Sequence, residues 1–171
     1  FTSDLQAPLD AGQPTEWDLV VVTDWMVARL IRLGWLETID TNLTPNFVAN
    51  LAENYKGRSF DPDTNLAAPW QSGMTGIGFN RKDVGDVKSF EQLFDPKYKG
   101  KVTLLSEARD TLGNIMWMQG TKPSDASIDD VLKATEYLDE QNRKGQIRKF
   151  TGNEYTTDLA KGNVVMAEAW S

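Results

Sequence analysis

The chain contains neither cysteine nor histidine among its 171 residues. Without thiols there are no disulfides and no thiolate nucleophiles, and without imidazole there is no Ser-His-Asp triad and no histidine general base. Zinc sites built from cysteine and histidine are excluded as well. Because both oxidising and reducing compartments tolerate a cysteine-free chain, this absence does not locate the protein. A large part of enzyme chemistry is nevertheless closed to this sequence.

Positive charge is also in short supply. The chain has 18 lysines and arginines against 25 aspartates and glutamates, a formal net charge of −7. Nucleic-acid surfaces need clustered lysine and arginine, and no run of the sequence supplies such a cluster. An acidic protein suits a cationic partner, although solubility alone explains the same sign.

Long apolar runs and nucleotide-binding motifs are missing too. No stretch approaches the roughly 18 apolar residues that a transmembrane helix requires. The segment PWQSGMTGIGFN, residues 69–80, contains a GxG but lacks the third glycine and the helix start of a dinucleotide fingerprint. Its glycines fit bends or close backbone approach within an extended segment.

The elements that the sequence does predict alternate between strands and helices. Apolar runs at Asp18–Val22 and Lys101–Leu105 predict two buried parallel strands, each leading into a helix that begins near Thr23 or Glu107. Other patterns predict helices at 46–51, 89–95, 127–144 and 152–161, and strands at 36–39, 69–80, 147–150 and 163–169. The first residues are typical of the tail of a helix before a Gly/Pro turn. Such alternation indicates an α/β protein with a parallel sheet.

The longest predicted helix, residues 127–144, is amphipathic. Its apolar face is predicted to contain Ile128, Val131, Leu132, Thr135 and Leu138.

Polar and aromatic residues follow three of the predicted strands. Ligands of open α/β sheets bind beyond the carboxyl ends of the strands, where loops and helix N-termini converge. The residues at these three ends are Thr23, Asp24 and Trp25; Ser106, Glu107 and Asp110; and Trp170 and Ser171. A carboxylate offers charge-assisted hydrogen bonds to an ammonium group, and an indole face binds its methylenes. The combination predicts a site for an amine.

Each of these residues also has a purely structural interpretation. Ser106 fits a helix N-cap, and Glu107 and Asp110 fit acids that favour the positive end of a helix dipole. Trp25 and Trp170 fit core packing, and Asp24 fits a solvated charge. Both interpretations stay open from these residues alone, but acids at helix N-termini speak against an anionic ligand.

Four segments together resemble a known family. They are WDLVVVTDWMVARLIRLGWLETID, PWQSGMTGIGFN, SFEQLFDPKYKGKVTLLSEARDTLG and GNVVMAEAWS. Their order and spacing are similar to those of the polyamine-binding branch of the bacterial extracellular solute-binding proteins, over essentially the whole chain. The most specific part is SFEQLFDPKYKGKV followed by the acidic junction between strand and helix.

The resemblance implies a type II periplasmic-binding-protein-like fold, in which two α/β lobes joined by crossing strands close on a ligand by hinge motion. Residues 1–73 would form an incomplete first lobe and residues 74–171 most of a second lobe, with Gly73–Thr75 near the first crossing. The resemblance places Thr23 and Trp25 as ligand contacts of the first lobe. It makes Glu107 and Asp110 the amine-binding carboxylates of the second lobe, and Trp170 the aromatic face that stacks on the ligand.

The function implied by the resemblance is that of the substrate-binding component of an ABC transporter. Such a protein is not an enzyme and needs no cofactor. It captures a spermidine- or putrescine-like polyamine in the periplasm or at the cell surface, with or without a lipid anchor, and delivers it to a membrane permease.

The sequence departs from the family in two respects. The family's carboxylate pair has aspartate first and glutamate second, whereas Glu107 precedes Asp110 here. Members of the family are also longer, and this chain lacks their first strand, the return crossing and a later aromatic and acidic segment. We therefore expect a fragment whose incomplete first lobe pairs with another chain segment or with a second copy.

Two other functions stay open. A related receptor could bind ferric iron, thiamine, a phosphonate or a sugar. Iron is disfavoured, because iron sites of such receptors have adjacent tyrosines and the four tyrosines of this chain are scattered. An enzyme could instead use Glu107 and Asp110 as an acid and base pair, as glycosidases do, because residues one helical turn apart lie on one face.

Overall fold

The computed structural model describes residues 2–171, with side chains described from residue 5 onward. The chain divides into two compact units, Phe1–Ser72 and Gly73–Ser171, and each is considered by itself. Within the described residues, none of the helices combines the length and the apolar character needed to cross a membrane.

The first unit is helical where its backbone is regular. It contains α1 (Thr2–Asp10), α2 (Asp24–Leu33), α3 (Pro45–Asn50) and a short 3₁₀ helix (Glu53–Tyr55). Helix α2 ends where Gly34 adopts φ 70°, and the Gly34 N–H donates to the carbonyls of the preceding turn. The helices predicted near the N-terminus, after Thr23 and around residue 46 are therefore confirmed.

The predicted strands of the first unit are wrong. Residues 18–22 and 36–39 have no strand pairing, and Leu19 and Val21 are 88% and 78% exposed. A strand exists only through hydrogen bonds to a neighbouring strand, and the described residues of this unit contain no strand that could pair. The apolar run Asp18–Val22 therefore lacks the neighbour that would bury it.

A buried carboxylate organises a loop of the first unit. Asp61 is 3% exposed, and its two oxygens accept hydrogen bonds from the backbone N–H groups of Asn65, Leu66 and Ala67 at 3.2, 3.1 and 3.0 Å. The three N–H groups would otherwise lack a protein acceptor in this turn. This part of the unit is thus held by polar contacts.

The second unit contains a four-stranded mixed sheet. Its strands are β1 (Thr75–Phe79), β2 (Val102–Leu105), β3 (Ile147–Thr151) and β4 (Met166–Trp170), in the spatial order β1-β4-β2-β3. Strand β2 runs parallel to β3 and β4, whereas β1 runs antiparallel to β4. The strands near residues 75, 101, 147 and 166 and the α/β class are confirmed. The purely parallel sheet is not, because local alternation does not specify the pairing of the first strand with the last.

Helices cover both faces of this sheet. The unit contains α4 (Arg81–Val84), α5 (Ala108–Met118), α6 (Ile128–Arg143), α7 (Tyr155–Ala160) and 3₁₀ helices at Phe90–Phe94, Pro96–Tyr98 and Pro123–Asp125. The larger core packs on the α5 and α6 side and includes Val102, Leu104, Ile115, Ala134 and Met166. A smaller cluster packs on the α7 side, where Leu105, Tyr155, Ala167 and Ala169 are buried.

Two details of the helices and strands refine the expectations from the sequence. A Cβ at Gly78 would lie 3.2 Å from Leu159 Cδ1, so close approach explains this strand glycine. Most of the predicted face of helix α6 is exposed, since Ile128 is 79% exposed and Leu132 is 54% exposed, and of the predicted residues only Leu138 packs against the core. Its buried stripe instead contains Ala134, with Tyr137 and Leu138 partly buried beside it. Because Ala134 is small, it allows α6 to approach the core closely.

Candidate functional site

One end of the sheet in the second unit collects most of the predicted site residues. Helix α5 begins just beyond the carboxyl end of β2, and Trp170 is the last residue of β4. Because β1 is antiparallel to β4, the first residue of β1, Thr75, pairs with Trp170. Three elements therefore bring their ends to one place.

Asp110, on α5, is hydrogen-bonded to residues of both β1 and β4. Its Oδ2 accepts a hydrogen bond from Thr75 Oγ1 at 2.9 Å and another from the indole Nε1 of Trp170 at 2.6 Å. Neither bond uses Oδ1. The carboxylate is half-buried, and the charge-assisted bond from the indole fixes its orientation. Asp110 therefore presents a held carboxylate oxygen beside an aromatic ring.

Trp170 is itself held from its backbone. Its N–H donates to the hydroxyl of Tyr155 at 3.0 Å, and that hydroxyl donates to the Trp170 carbonyl at 3.1 Å. The next residue, Ser171, exchanges two hydrogen bonds with the backbone of Met74 through its own N–H and Oγ. Trp170 as a whole remains 37% exposed, so a fixed tryptophan still offers part of its surface to a ligand.

Glu107 differs from Asp110 in its contacts. It is the N-cap of α5, and its side chain accepts from the backbone N–H of Arg109 at 3.2 Å. Ser106 is exposed and is not the cap, so the sequence interpretation of Ser106 as the N-cap is wrong. The capping interpretation holds for Glu107, whereas Asp110 is tied to two strands. The two acids are therefore not equivalent members of a pair.

Within the described residues, Glu107 and Asp110 have no recorded ion pair with a lysine or arginine. Both side chains are half-buried rather than fully solvated. An unpaired carboxylate in such a position favours a cation as its ligand.

A third carboxylate, Glu168, was not predicted from the sequence as part of the site. It lies on β4 two residues before Trp170, so both side chains point to the same face of the sheet. Glu168 is fully buried. Burial raises the pKa of the Glu168 carboxyl above its usual value, and the negative charge of Asp110 raises it further, while hydrogen bonds from Thr111, Asn114 and the Leu105 N–H oppose this rise.

The remaining predicted residues lie in the first unit, at the start of α2. Thr23 is the N-cap, but its exposed side chain forms no capping hydrogen bond. Asp24 accepts from the backbone N–H of Trp25 at 2.7 Å and pairs with Arg58 at 3.5 Å. Trp25 is half-buried. Asp24 thus already has a cationic partner, whereas the ion pairs of the described residues include neither Glu107 nor Asp110.

Different signals would have been needed to find the residues that sequence reasoning missed. The two-residue period of a strand relates Glu168 to Trp170, so this glutamate could have been noticed. Thr75 and Tyr155 carry no such signal. Thr75 reaches Asp110 only because β1 pairs with β4. Tyr155 lies on α7, and its hydroxyl is hydrogen-bonded to the Trp170 backbone.

The carboxylates do not form a metal centre. Within the described residues, no three histidine, cysteine, aspartate or glutamate side chains are grouped closely enough to hold a metal ion. The site therefore consists of carboxylates, hydroxyls and an indole.

Comparison with known proteins identifies the family. The model of the bacterial extracellular solute-binding protein family matches residues 2–171. The spermidine/putrescine-binding periplasmic protein of Escherichia coli (strain K12) is 32% identical over 108 residues, which are 62% of this chain and 31% of that protein. The putrescine-binding periplasmic protein SpuD of Pseudomonas aeruginosa (strain UCBPP-PA14) is 30% identical, over 98% of this chain and 48% of that protein.

A solved structure supports the same fold. The TpPotD lipoprotein of Treponema pallidum superposes with a TM-score of 0.83 at 23% identity, covering 98% of this chain and 52% of that one. The match covers 31–52% of the length of these three relatives, about half or less. The match over nearly all of its residues is sufficient for assignment: the chain belongs to the bacterial extracellular solute-binding protein family.

Proposed function

We propose that this chain supplies part of the ligand site of a polyamine receptor. In this proposal a spermidine- or putrescine-like cation is captured outside the cytoplasm and delivered to the permease of an ABC transporter. Membership of a solute-binding family supports a binding role, and the names of the relatives, which bind spermidine and putrescine, support the ligand class.

The observation that carries the proposal is the environment of Asp110. Its carboxylate is fixed by Thr75 and by the Trp170 indole, and one oxygen takes part in neither bond. An ammonium group donates charge-assisted hydrogen bonds and gains most from a carboxylate that is already oriented and has no competing cation. Asp110 is therefore the anchor for one amine of the ligand.

Trp170 and Glu107 have supporting roles in this proposal. The partly exposed indole packs against the methylene chain and favours the nearby positive charge. Glu107 adds negative charge at the same helix start while its cap bond keeps the carboxylate in place. For Thr23 and Trp25 of the first unit, the ligand-binding role is proposed from the resemblance alone, and the pairing of Asp24 with Arg58 reduces the charge that Asp24 offers to a cation.

Calorimetric titration of the purified protein with putrescine and spermidine tests the proposal. We expect heat of binding with at least one of the two amines, and a loss of about 10- to 100-fold in affinity for Asp110→Asn, which keeps the size but removes the charge. The titration also reveals which of the two amines binds more tightly.

Asp129→Asn is the matched control for the change in charge. Asp129 is exposed on α6, so removing its charge should leave the affinity nearly unchanged. Absence of heat with both amines, or equal affinities of the Asp110 and Asp129 variants, would contradict the proposed site. A dicarboxylate of the same length as putrescine should not bind.

A further inference from the structure

The buried carboxyl of Glu168 lies in a closed hydrogen-bond network next to the proposed amine anchor. Its Oε1 accepts from Asn114 Nδ2 at 2.7 Å, and its Oε2 accepts from the Leu105 N–H at 3.1 Å. Thr111 Oγ1 lies 2.6 Å from Oε2 and 2.9 Å from the Leu105 carbonyl oxygen. The network joins the first two turns of α5 to β2 and β4.

The number of hydrogens in this network indicates a proton on Glu168. Thr111 has a single hydroxyl hydrogen but lies within hydrogen-bond distance of two oxygens. If Glu168 is ionised, Thr111 can donate to only one of them. If Oε2 carries a proton, Oε2 donates to Thr111 Oγ1, Thr111 donates to the Leu105 carbonyl, and each short contact is a hydrogen bond.

The charged surroundings favour the same state. Within the described residues, Glu168 forms no ion pair with a lysine or arginine. Strands β1 and β2, which flank β4, contain no ionisable residue. Helix α5 contributes Asp110, whose negative charge disfavours ionisation of Glu168, and the exposed Arg109.

The other two elements that pack against β4 add no compensating cation. The 3₁₀ helix Phe90–Phe94 has the exposed Glu91, and α7 has Tyr155 and Asp158. Tyr155 packs with Ala167 and Ala169, whose side chains point to the face opposite Glu168. A buried acid without a cation is most stable as the neutral carboxyl group.

We propose that Glu168 is a neutral positioning residue that holds the start of α5 beside Trp170, and that it releases its proton when a cation binds at Asp110. The second part rests on the proposed function. A bound ammonium offsets the charge of Asp110 and so stabilises ionised Glu168. The proton leaves Oε2 for a buffer base, and the Thr111 hydroxyl turns from the Leu105 carbonyl to the carboxylate.

Infrared spectroscopy tests the neutral state without any ligand. At neutral pH solvated carboxylates are ionised, so a carboxylic acid C=O band should stand apart in the wild-type spectrum. We expect this band to vanish in Glu168→Gln. If that variant does not fold, Thr111→Val keeps the carboxyl but removes its acceptor, so the band should persist and move to higher frequency. Absence of the band from the wild type would overturn the proposal.

The pH dependence of unfolding gives a second test without ligand. A carboxyl whose pKa is raised by folding binds its proton more tightly in the folded state. Between the usual and the raised pKa the folded protein carries more protons, so stability falls as the pH rises through this range. Stability of Glu168→Gln should fall less over the same range. Parallel curves for the two proteins would contradict the inference.

Calorimetry with putrescine and spermidine in two buffers of different ionisation enthalpy tests the released proton. Wild type should release a fraction of a proton on binding, and Glu168→Gln should bind while releasing less. For each unit by which the ligand lowers the pKa of the Glu168 carboxyl, the affinity of the wild type for the amine should rise about tenfold. This rise is measured from a pH below both pKa values of Glu168 to a pH above both. Binding with equal proton release in both proteins would overturn the inference alone, whereas no binding at all would overturn the proposed function.

Discussion

Leu19 and Val21 in the first unit are largely exposed, whereas Val102 and Leu104 in the second are fully buried. Both pairs belong to short apolar segments that lead directly into a helix. The difference lies in the neighbours. Strand β2 is hydrogen-bonded to β3 on one side and to β4 on the other, while the described residues of the first unit contain no strand. Adjacent strands, rather than local composition, decide whether such a segment is buried.

The two units also differ in what holds their chains together. In the second unit an apolar cluster around Leu104, Ile115 and Met166 joins the sheet to α5 and α6. In the first unit the buried carboxylate of Asp61 accepts three backbone hydrogen bonds from the loop around residues 58–67. Substitutions can therefore test apolar and polar stabilisation separately.

The largest effect is expected for Leu104→Ala. The truncation leaves a cavity between β2 and the helices, and the free energy of unfolding of the second unit should fall by about 2–5 kcal/mol. Hydrogen exchange of the β2 amides in increasing denaturant measures this change, because these amides belong to the second unit, whereas four of the six tryptophans lie in the first.

Leu19→Ala is the matched control for that truncation. The same atoms are removed from a side chain that is already in solvent, so stability should change by less than about 0.5 kcal/mol. Equal losses for the two variants would mean that Leu19 is buried in solution. The contrast between the two units would then be wrong.

Asp61→Ala should have the next largest effect. Three backbone N–H groups lose their acceptor, and because the loop is only half-buried, water replaces part of the loss. We expect a destabilisation of about 1–3 kcal/mol. Hydrogen exchange of the amides of Asn65, Leu66 and Ala67 should accelerate most.

The exposed neighbour Asp63 provides the comparison for Asp61. Asp63→Ala removes the same charge from the same turn without removing an acceptor of these amides, so their exchange should stay nearly unchanged. Similar exchange in both variants would show that the loop is ordered by something other than the Asp61 carboxylate.

Much of the fold could be predicted because helices and strands carry local periodic patterns. The four strands of the second unit and the helices α5, α6 and α7 lie where their apolar patterns indicate. The failures concern information that is not local. Asp18–Val22 looks like a buried strand but has no neighbour, and the antiparallel pairing of Thr75 with Trp170 joins residues far apart in the chain. Helix α6 also shows that a local pattern does not specify burial. Ile128 and Leu132 have the spacing of an apolar helix face, but both are exposed.

The candidate site divides in the same way. The rule that ligands gather at the carboxyl ends of strands predicted that Asp110 and Trp170 lie together, and the indole nitrogen lies 2.6 Å from the carboxylate. No local pattern predicted that Thr75 would be the second donor or that Glu168 would be buried behind the helix. Their positions depend on β4 lying between β1 and β2.

The smallest effect is expected at the helix starts, where the two units offer a direct comparison. Glu107 caps α5 by accepting a hydrogen bond from the Arg109 N–H, whereas Thr23 occupies the N-cap of α2 without a side-chain bond. Glu107→Ala should lower the free energy of unfolding by about 0.5–1 kcal/mol, and Thr23→Ala should lower it by less than half of that. Denaturant unfolding of each variant, with Glu107→Ser as a substitution that restores a cap acceptor, measures both values. The cap bond needs only a side-chain oxygen that can accept from the Arg109 N–H. Glu107→Ser should therefore recover stability without recovering the negative charge. Equal free energies of unfolding for Glu107→Ser and Glu107→Ala, together with an equal loss for Thr23→Ala, would contradict this prediction. The capping hydrogen bond would then not distinguish the two helix starts.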